Sequence, residues 1–225
     1  MKIATWNLAR VQSKYKIPVI LEKIKEIDAD ILILTETSTA IDLSEDYFGV
    51  QSIPLPTDGL FDTVYYNRGE NRTAIWSKYP IVENISTSND YTNTCAKLKT
   101  PFGNFIFYAA IIGFLGRKNP YFQQDLENVQ KDLENLSKQG NICLAGDFNL
   151  SFCDNYFPDR GAKQKLKDQF QENNLMNLTE EIPNNIDHIV INKDFIRDFG
   201  IEISIWNEDK KLSDHKGVSV TLKKL

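Results

Sequence analysis

Apolar residues alternate with polar ones, or form short continuous runs, along much of this chain, as is typical of β-strands. Lys2 to Leu8 alternates and predicts the first strand. Ile31–Leu34 and Ile142–Ala145 are continuous apolar runs. Runs of this kind predict strands that are buried on both faces.

Shorter patterned segments, separated by turn-forming residues, predict the remaining strands. We expect 73–77 and 81–86 to form a pair around Lys78-Tyr79-Pro80, and 94–98 to pair with 104–112 around Pro101-Phe102-Gly103. The other predicted strands are 47–53, 63–66, 186–191, 196–206 and 217–222.

Three stretches have apolar residues at helical spacing. The first begins near Pro18, runs to about Asp28 and has Val19, Ile20, Ile24 and Ile27 on one face. The second is opened by Pro120 and ends at Gly140, and the third spans 162–173. The sequence shows neither internal repeats nor linkers, so we expect one α/β or α+β domain over residues 1–225, with helices covering two stacked sheets.

The composition of this 225-residue chain is that of a soluble globular protein, with 41% hydrophobic and 25% charged residues. No apolar run approaches the ~20 residues of a membrane helix, and the N-terminus has no signal-peptide core. Three cysteines without paired spacing argue against a disulfide framework or a zinc site. We therefore expect a cytoplasmic protein, without an obligate protein partner and monomeric.

The formal net charge of −5 argues against holding nucleic acid by bulk electrostatics. A local basic pocket for one phosphate is still compatible with it. Basic residues cluster at Arg117-Lys118 and again between 160 and 167, and a solvated face is the simpler interpretation of both clusters.

Polar side chains follow several predicted strands at the point where each strand ends. Gly146 ends one apolar run, and Asp147 and Asn149 follow at alternate positions. If the backbone stays extended, these two side chains point the same way and Phe148 points into the core. A simple turn is the alternative interpretation of Gly, Asp and Asn here. Comparable positions elsewhere are occupied by Asn7, Glu36, Asp187, Asp214 and His215.

Six segments make the chain similar to the endonuclease/exonuclease/phosphatase superfamily, the DNase I-like metal-dependent phosphoesterases. They are ATWNL, DILILTET, SKYPI, GDFNL, NIDHIVI and SDHKGV, in the family's order and spanning residues 3–220. The resemblance implies a four-layer α/β/β/α sandwich, with two mixed β-sheets between helices and the site at one end of the sheets.

The resemblance also implies roles for the polar residues. Glu36 would bind the metal, with Asn7 and Asp214 close to it. Asp147 would activate or orient the attacking water, and Asn149 would hold the nucleophile or a phosphate oxygen. His215 would contact the phosphoryl group, and Asp187 would accept a hydrogen bond from its other ring nitrogen. Oxygen ligands of this kind suit Mg²⁺, with Mn²⁺ as an alternative.

The chain departs from the family pattern where many members have a second histidine or a tyrosine. Ala109-Ala110 stands there, with Tyr108 one or two positions early. The candidates for the missing phosphate contact are Arg72, Arg117, Lys118 and the nearby Tyr108, and Arg72 is preferred. The other histidine, His188, is expected to be a packed residue.

Three functions fit this sequence. The first is a Mg²⁺-dependent nuclease, and the second is the same chemistry on a smaller phosphoester such as a nucleotide, sugar or inositol phosphate. The third is a non-catalytic binding relative, which the intact set of site residues disfavours. Trp76, Tyr79, Tyr121 and Phe122 are candidates for stacking on bases, or are core residues.

Overall fold

Two six-stranded β-sheets lie face to face in the computed structural model, which describes residues 1–114 and 121–225. The strands are β1 (Lys2–Asn7), β2 (Ile31–Ser38), β3 (Phe48–Gln51), β4 (Leu60–Phe61), β5 (Val64–Tyr65), β6 (Glu70–Ser77), β7 (Ile81–Ile85), β8 (Thr94–Thr100), β9 (Gly103–Ile111), β10 (Ile142–Asp147), β11 (Leu175–Asn177), β12 (Asp187–Asn192), β13 (Phe199–Trp206) and β14 (Gly217–Lys224). The helices are α1 (Lys16–Ile27), α2 (Tyr121–Leu136), α3 (Arg160–Glu172) and α4 (Lys193–Ile196), with a 3₁₀ turn at Ser137–Gln139.

Both sheets are mixed. The first has the order β13-β14-β1-β2-β6-β3, with β1 parallel to β2 and antiparallel to β14. The second has the order β11-β12-β10-β9-β8-β7, with β10 parallel to β9 and antiparallel to β12. Strands β4 and β5 form a separate two-stranded hairpin.

Three apolar clusters account for the layers. One lies between the sheets and includes Ile3, Ile33 and Phe107. A second packs α1 on the first sheet, and a third packs α2 and α3 on the second sheet. The alternation in β1 fits this arrangement, because Ile3 faces the inner cluster and Ala4 and Trp6 face α1. The predicted sandwich of two mixed sheets flanked by helices is confirmed.

Strand directions bring the polar residues to one end of both sheets. β1 and β2 run the same way and end near Asn7 and Glu36. β10 ends at Asp147, which lies opposite Asp187 at the start of antiparallel β12. His215 precedes β14, which runs antiparallel to β1.

Several local predictions were wrong. Strands 73–77 and 81–86 do not pair, because β6 belongs to the first sheet and β7 to the second. Val19 is 46% exposed, so the buried face of α1 consists of Ile20, Ile24 and Ile27. Ile196 ends the short helix α4 rather than starting a strand. Pro120 lies outside the described residues.

Candidate active site

The turn after β10 places two polar side chains together. Gly146 has φ +139°, and a Cβ added there would lie 2.1 Å from the carbonyl oxygen of Ala110. Any larger residue would therefore push β10 away from β9. Asn149 adopts a left-handed backbone conformation with φ +50°, which asparagine tolerates better than most residues. The backbone is thus not extended as expected, although Phe148 is fully buried as predicted.

Asp147 is the centre of a hydrogen-bond network that joins the two sheets. Asn7 Nδ2 donates to Asp147 Oδ2 at 3.1 Å and lies 3.2 Å from Glu36 Oε1. The backbone N–H of Asn149 donates to Asp147 Oδ1 at 2.8 Å. Asn7 therefore links a carboxylate of the first sheet to a carboxylate of the second.

The side chain of Asn149 is held by its amide nitrogen. Nδ2 donates toward the backbone oxygens of Ile112 and Gly113, at 3.2 and 3.1 Å, and toward Asp147 Oδ2 at 3.1 Å. Because the amide group is planar, its oxygen is directed away from these acceptors. That oxygen is the atom that can orient water or a phosphoryl ligand.

His215 is held by its Nδ1 atom, which lies 2.7 Å from Asp187 Oδ2. This contact requires a proton on Nδ1, because an ionised carboxylate only accepts. Ser213 Oγ donates to the backbone oxygen of Asn7 at 2.6 Å and accepts from the N–H of His215 at 3.1 Å. The loop that carries His215 is thereby attached to the end of β1. Asp214 is largely exposed, and its Oδ1 lies 3.9 Å from His215 Nε2.

Burial and charge together shift the pKa values of the site. Burial by itself would lower the pKa of His215, but Asp187, Asp147 and Glu36 raise it to about 10. Burial also raises the pKa of Asp147 to about 7, against the opposing effect of His215. The pKa values of Glu36 and Asp187 are raised for the same reason, and hydrogen bonds from Asn7 and His215 offset part of that effect.

This side-chain set fits a divalent cation. Two buried carboxylates, those of Asp147 and Asp187, and the half-buried carboxylate of Glu36 face a single imidazolium, so the site has excess negative charge. Carboxylate oxygens of Asp147 and Asp187 and a ring nitrogen of His215 lie within 4.8 Å of one another. Among the described residues, Asp187 Oδ1 is buried without a hydrogen-bond partner. A cation would relieve both conditions.

Comparison with known proteins agrees with this geometry. The Endonuclease/Exonuclease/phosphatase family matches residues 4–215. The chain belongs to this family. Its members are metal-dependent hydrolases of phosphoric esters, and the chain is accordingly an enzyme of that class. No curated protein sequence matches the chain.

Several solved structures have the same fold as this chain at low sequence identity. An endonuclease/exonuclease/phosphatase from Beutenbergia cavernae is 15% identical over 100% of this chain and 71% of its own, with a TM-score of 0.71. A Neisseria 3′ phosphatase, NExo, bound to a product DNA hairpin, is 14% identical over 99% of both chains, with a TM-score of 0.71. An AP endonuclease from Archaeoglobus fulgidus is 15% identical over 99% of both chains, with a TM-score of 0.68.

Seven residues were predicted to be catalytic or metal-binding, and the structure of this family member brings six of them together. Asp214 lies at the rim instead, because its carboxylate faces solvent. The residues that the structure brings together are Asn7, Glu36, Asp147, Asn149, Asp187 and His215. Their individual roles stay predictions.

The candidates for the missing phosphate contact differ in their positions. Arg72 is 3% exposed and lines the same small cavity as Glu36. Tyr108 is fully buried, and its hydroxyl lies 2.7 Å from Asp132 and 2.9 Å from Asn93. It packs beneath α2, so it is withdrawn as a phosphate contact. Arg117 and Lys118 lie outside the described residues.

The residue of β9 that lies opposite Asp147 comes one position after the Ala109-Ala110 pair. Ala109 and Ala110 are level with Ala145 and Gly146, whereas Ile111 is the residue level with Asp147. The strand end opposite the Asp147 carboxylate is therefore apolar as well. Of the aromatic candidates for base stacking, Trp76 and Phe122 are core residues.

Sequence reasoning missed residues that surround the site. Ser213 belongs to the SDHKGV segment but had no predicted role. Tyr156 and Phe157, from the segment between β10 and α3, line a small cavity together with Asp187 and His215. Lys210 lines that cavity too, and its Nζ lies 3.2 Å from the Tyr156 hydroxyl. No sequence pattern connects these positions, because they meet only in the folded chain.

Proposed function

We propose that this protein is a Mg²⁺-dependent nuclease that hydrolyses a phosphodiester by in-line attack of water. The metal site residues would be Glu36 and Asn7 with Asp214 at the rim, and Mn²⁺ would be an alternative ion. When bound, the cation would neutralise charge on the phosphoryl oxygens.

The shape of the surface beside the site is the observation that carries this proposal. Two cavities adjoin at Asp214 and Lys210. The larger, of about 410 Å³, is lined by residues 8–13 together with Lys16 and the 210–214 loop. The smaller contains His215 and the aromatic rings of Tyr156 and Phe157. A substrate with groups on both sides of the scissile phosphate suits this shape better than a compact phosphoester.

Charge in these cavities supports the same substrate class. Arg10 and Lys16 line the larger cavity, Lys216 lines the smaller, and Lys210 lines both. The chain as a whole is acidic, but these four cations outnumber the carboxylates of Asp187 and Asp214 that line the same cavities. Arg10 is in addition paired with Glu70. Lysine and arginine contacts to neighbouring phosphates supply most of the sequence-independent affinity for nucleic acid.

The side chains divide the chemistry among them. Asp147, ionised, accepts or directs the proton of the attacking water, which the amide oxygen of Asn149 helps to hold. His215, kept protonated by Asp187, directs Nε2–H toward the phosphoryl oxygen and stabilises the developing charge. Positioning and electrostatics of this kind need no covalent intermediate on the enzyme.

Arg72 is proposed as the cation that stands in for the missing second histidine. Its terminal nitrogens contact Thr92 at 2.8 Å, Asp62 at 2.7 Å and the Tyr66 hydroxyl at 3.0 Å. Its guanidinium lies 3.5 Å from the centre of the Phe114 ring. Among the described residues its buried Nε has no hydrogen-bond partner, and the Arg72 side chain lines a small cavity together with Glu36.

Hydrolysis of a phosphomonoester is the second candidate function. The Neisseria structure is a 3′ phosphatase bound to a product DNA hairpin, and the same catalytic set suits a terminal phosphate. A compact phosphoester such as a nucleotide, sugar phosphate or inositol phosphate would not require contacts in the larger cavity. The acidic net charge favours such substrates over a long polymer.

A substrate panel distinguishes these functions. The purified protein with Mg²⁺ is assayed on plasmid DNA, labelled single- and double-stranded DNA and RNA oligonucleotides, 3′-phosphorylated oligonucleotides, nucleotides, and sugar and inositol phosphates. We expect internal or exonucleolytic cleavage with the highest kcat/KM. Turnover confined to terminal or small-molecule phosphates would replace the nuclease by the phosphatase, and no turnover on any substrate would favour a binding protein.

We also propose the domain organisation, the oligomeric state and the location of this protein. Residues 1–225 would act as a single domain and as a monomer. Location in a reducing cytoplasm is supported by the three free thiols of Cys95, Cys143 and Cys153. No helix within the described residues is long and apolar enough to cross a membrane.

A further inference from the structure

His188 is a fully buried histidine that follows Asp187 in β12. Its ring contacts Phe148 and Phe152, with centroid distances of 5.4 and 4.8 Å. Burial lowers the pKa of His188 to about 4. A histidine with only a packing role would show the same ring contacts. The hydrogen bonds of the ring must therefore distinguish a packing role from a positioning role.

Both ring nitrogens of His188 have partners that assign the tautomer. Nε2 lies 2.9 Å from the carbonyl oxygen of Leu150, which can only accept. Nδ1 lies 3.2 Å from Asn177 Nδ2, which can only donate, and 3.1 Å from Thr179 Oγ1. The proton is therefore on Nε2, and the ring donates to Leu150.

The ring is itself held rigidly. Thr179 Oγ1 accepts from the N–H of Ile189 at 3.1 Å, and Asn177 Oδ1 accepts from the N–H of Thr179 at 3.1 Å. β11 and β12 pair through Asn177 and Val190. The donor that reaches Leu150 is thus fixed by the second sheet.

The contact with Leu150 is one of two that flank Asn149. On the other side, the N–H of Phe148 donates to the carbonyl oxygen of Ile186 at 2.9 Å. Residues 148 and 150 are therefore tied to residues 186 and 188. Asp187, which lies between those two, holds His215. The same three-residue segment of the chain thus anchors both the Asn149 turn and the catalytic imidazole.

We propose that His188 is a positioning residue that holds Leu150, and through it Asn149, in register with Asp187 and His215. This inference rests on the proposed hydrolytic function for its kinetic test. Asn149 needs such support because its left-handed backbone is a conformation that surrounding contacts must maintain. Buried groups that orient a catalytic residue typically contribute about 10–100-fold to activity.

Three substitutions separate positioning from packing. In His188→Gln the side-chain amide nitrogen can lie where Nε2 lies and donate to Leu150. In His188→Asn the amide corresponds to the Nδ1 position and cannot reach, and His188→Leu has no donor. We expect kcat to fall about tenfold or more in the Asn and Leu variants, with KM nearly unchanged, and to stay close to the wild-type value in the Gln variant. Equal kcat in the Gln and Asn variants at equal thermal stability would overturn the proposal.

A measurement on the unsubstituted protein covers the case in which the variants do not fold. Hydrogen exchange by NMR compares the ring Nε2–H of His188 with the backbone N–H of Asn149. If His188 holds the turn, both protons are protected and open together. Rapid exchange at Asn149 beside a protected His188 ring would contradict the proposal. This test needs no activity, so it stands even if the wild type cleaves nothing and the proposed function fails.

Discussion

Asp147 and Asp187 lie directly opposite each other in the antiparallel register of β10 and β12. Two buried carboxylates so placed repel each other unless a cation is nearby. His215 supplies one positive charge through its 2.7 Å contact with Asp187. The arrangement explains both the raised pKa of the histidine and the capacity of the site for a metal ion.

Replacing Asp187 should move the alkaline side of the pH–rate profile. His215 has a pKa raised to about 10, so in the wild type it stays protonated through the neutral range and loses its proton only as the pH approaches 10. Asp187→Asn removes a cause of that raised pKa, so kcat/KM should begin to fall at a lower pH. Glu208→Gln is the matched control, because it changes an exposed carboxylate in the loop that carries His215. An alkaline limb at the same pH in both variants would show that Asp187 does not set the charge of His215.

Replacing Arg72 should lower both the turnover rate and the free energy of unfolding, for different reasons. Arg72→Ala leaves Asp62 without its partner, and removing one member of a partly buried ion pair costs up to about 3–5 kcal/mol. Asp62→Asn relaxes that pair but keeps the guanidinium beside Phe114. We expect Arg72→Ala to lower both kcat and the free energy of unfolding, and Asp62→Asn to lower mainly the latter. Unchanged turnover in Arg72→Ala on the true substrate would remove Arg72 from the phosphate site.

Neighbouring lysines provide a test of polymer binding. Lys210 lines both cavities beside the site, whereas Lys211 is 81% exposed and paired with Asp209. Lys210→Ala should raise KM for oligonucleotides and reduce the salt dependence of binding by about one ion. It should leave a small chromogenic phosphodiester unaffected. Lys211→Ala should match the wild type, and equal effects of the two substitutions would argue against a backbone-phosphate contact at Lys210.

The part of the site that sequence could predict is the part that strand periodicity controls. Asn7, Glu36 and Asp147 each follow a strand whose apolar pattern is unambiguous, so their common edge could be expected. The sequence could not show that the two strands on either side of residues 78–80 belong to different sheets. Ser77 Oγ bonds to the backbone of Tyr79, and the N–H of Lys78 donates to the carbonyl oxygen of Asp30. Those contacts keep the turn on the first sheet, and β7 then joins the second.

Long-range contacts account for the other differences. Tyr108 has the right residue type near the right strand end, but its hydroxyl donates a hydrogen bond to Asp132 on α2, on the helix-covered face of the second sheet. The side chain of Asn149 is held by acceptors at Ile112 and Gly113, 36 or more positions earlier in the chain. Neither relationship leaves a periodic pattern in the sequence.

Single-turnover cleavage of a labelled oligonucleotide with Mg²⁺, by the wild type and by Asp147→Asn, tests the central claim most directly. The substitution preserves the shape of the side chain and removes the carboxylate that we propose activates or orients the attacking water. We predict that the wild type cleaves and that the rate falls at least about 10²-fold in the variant, as expected for loss of a general base. Cleavage at similar rates by both proteins would contradict the assignment of Asp147 and of the site built around it.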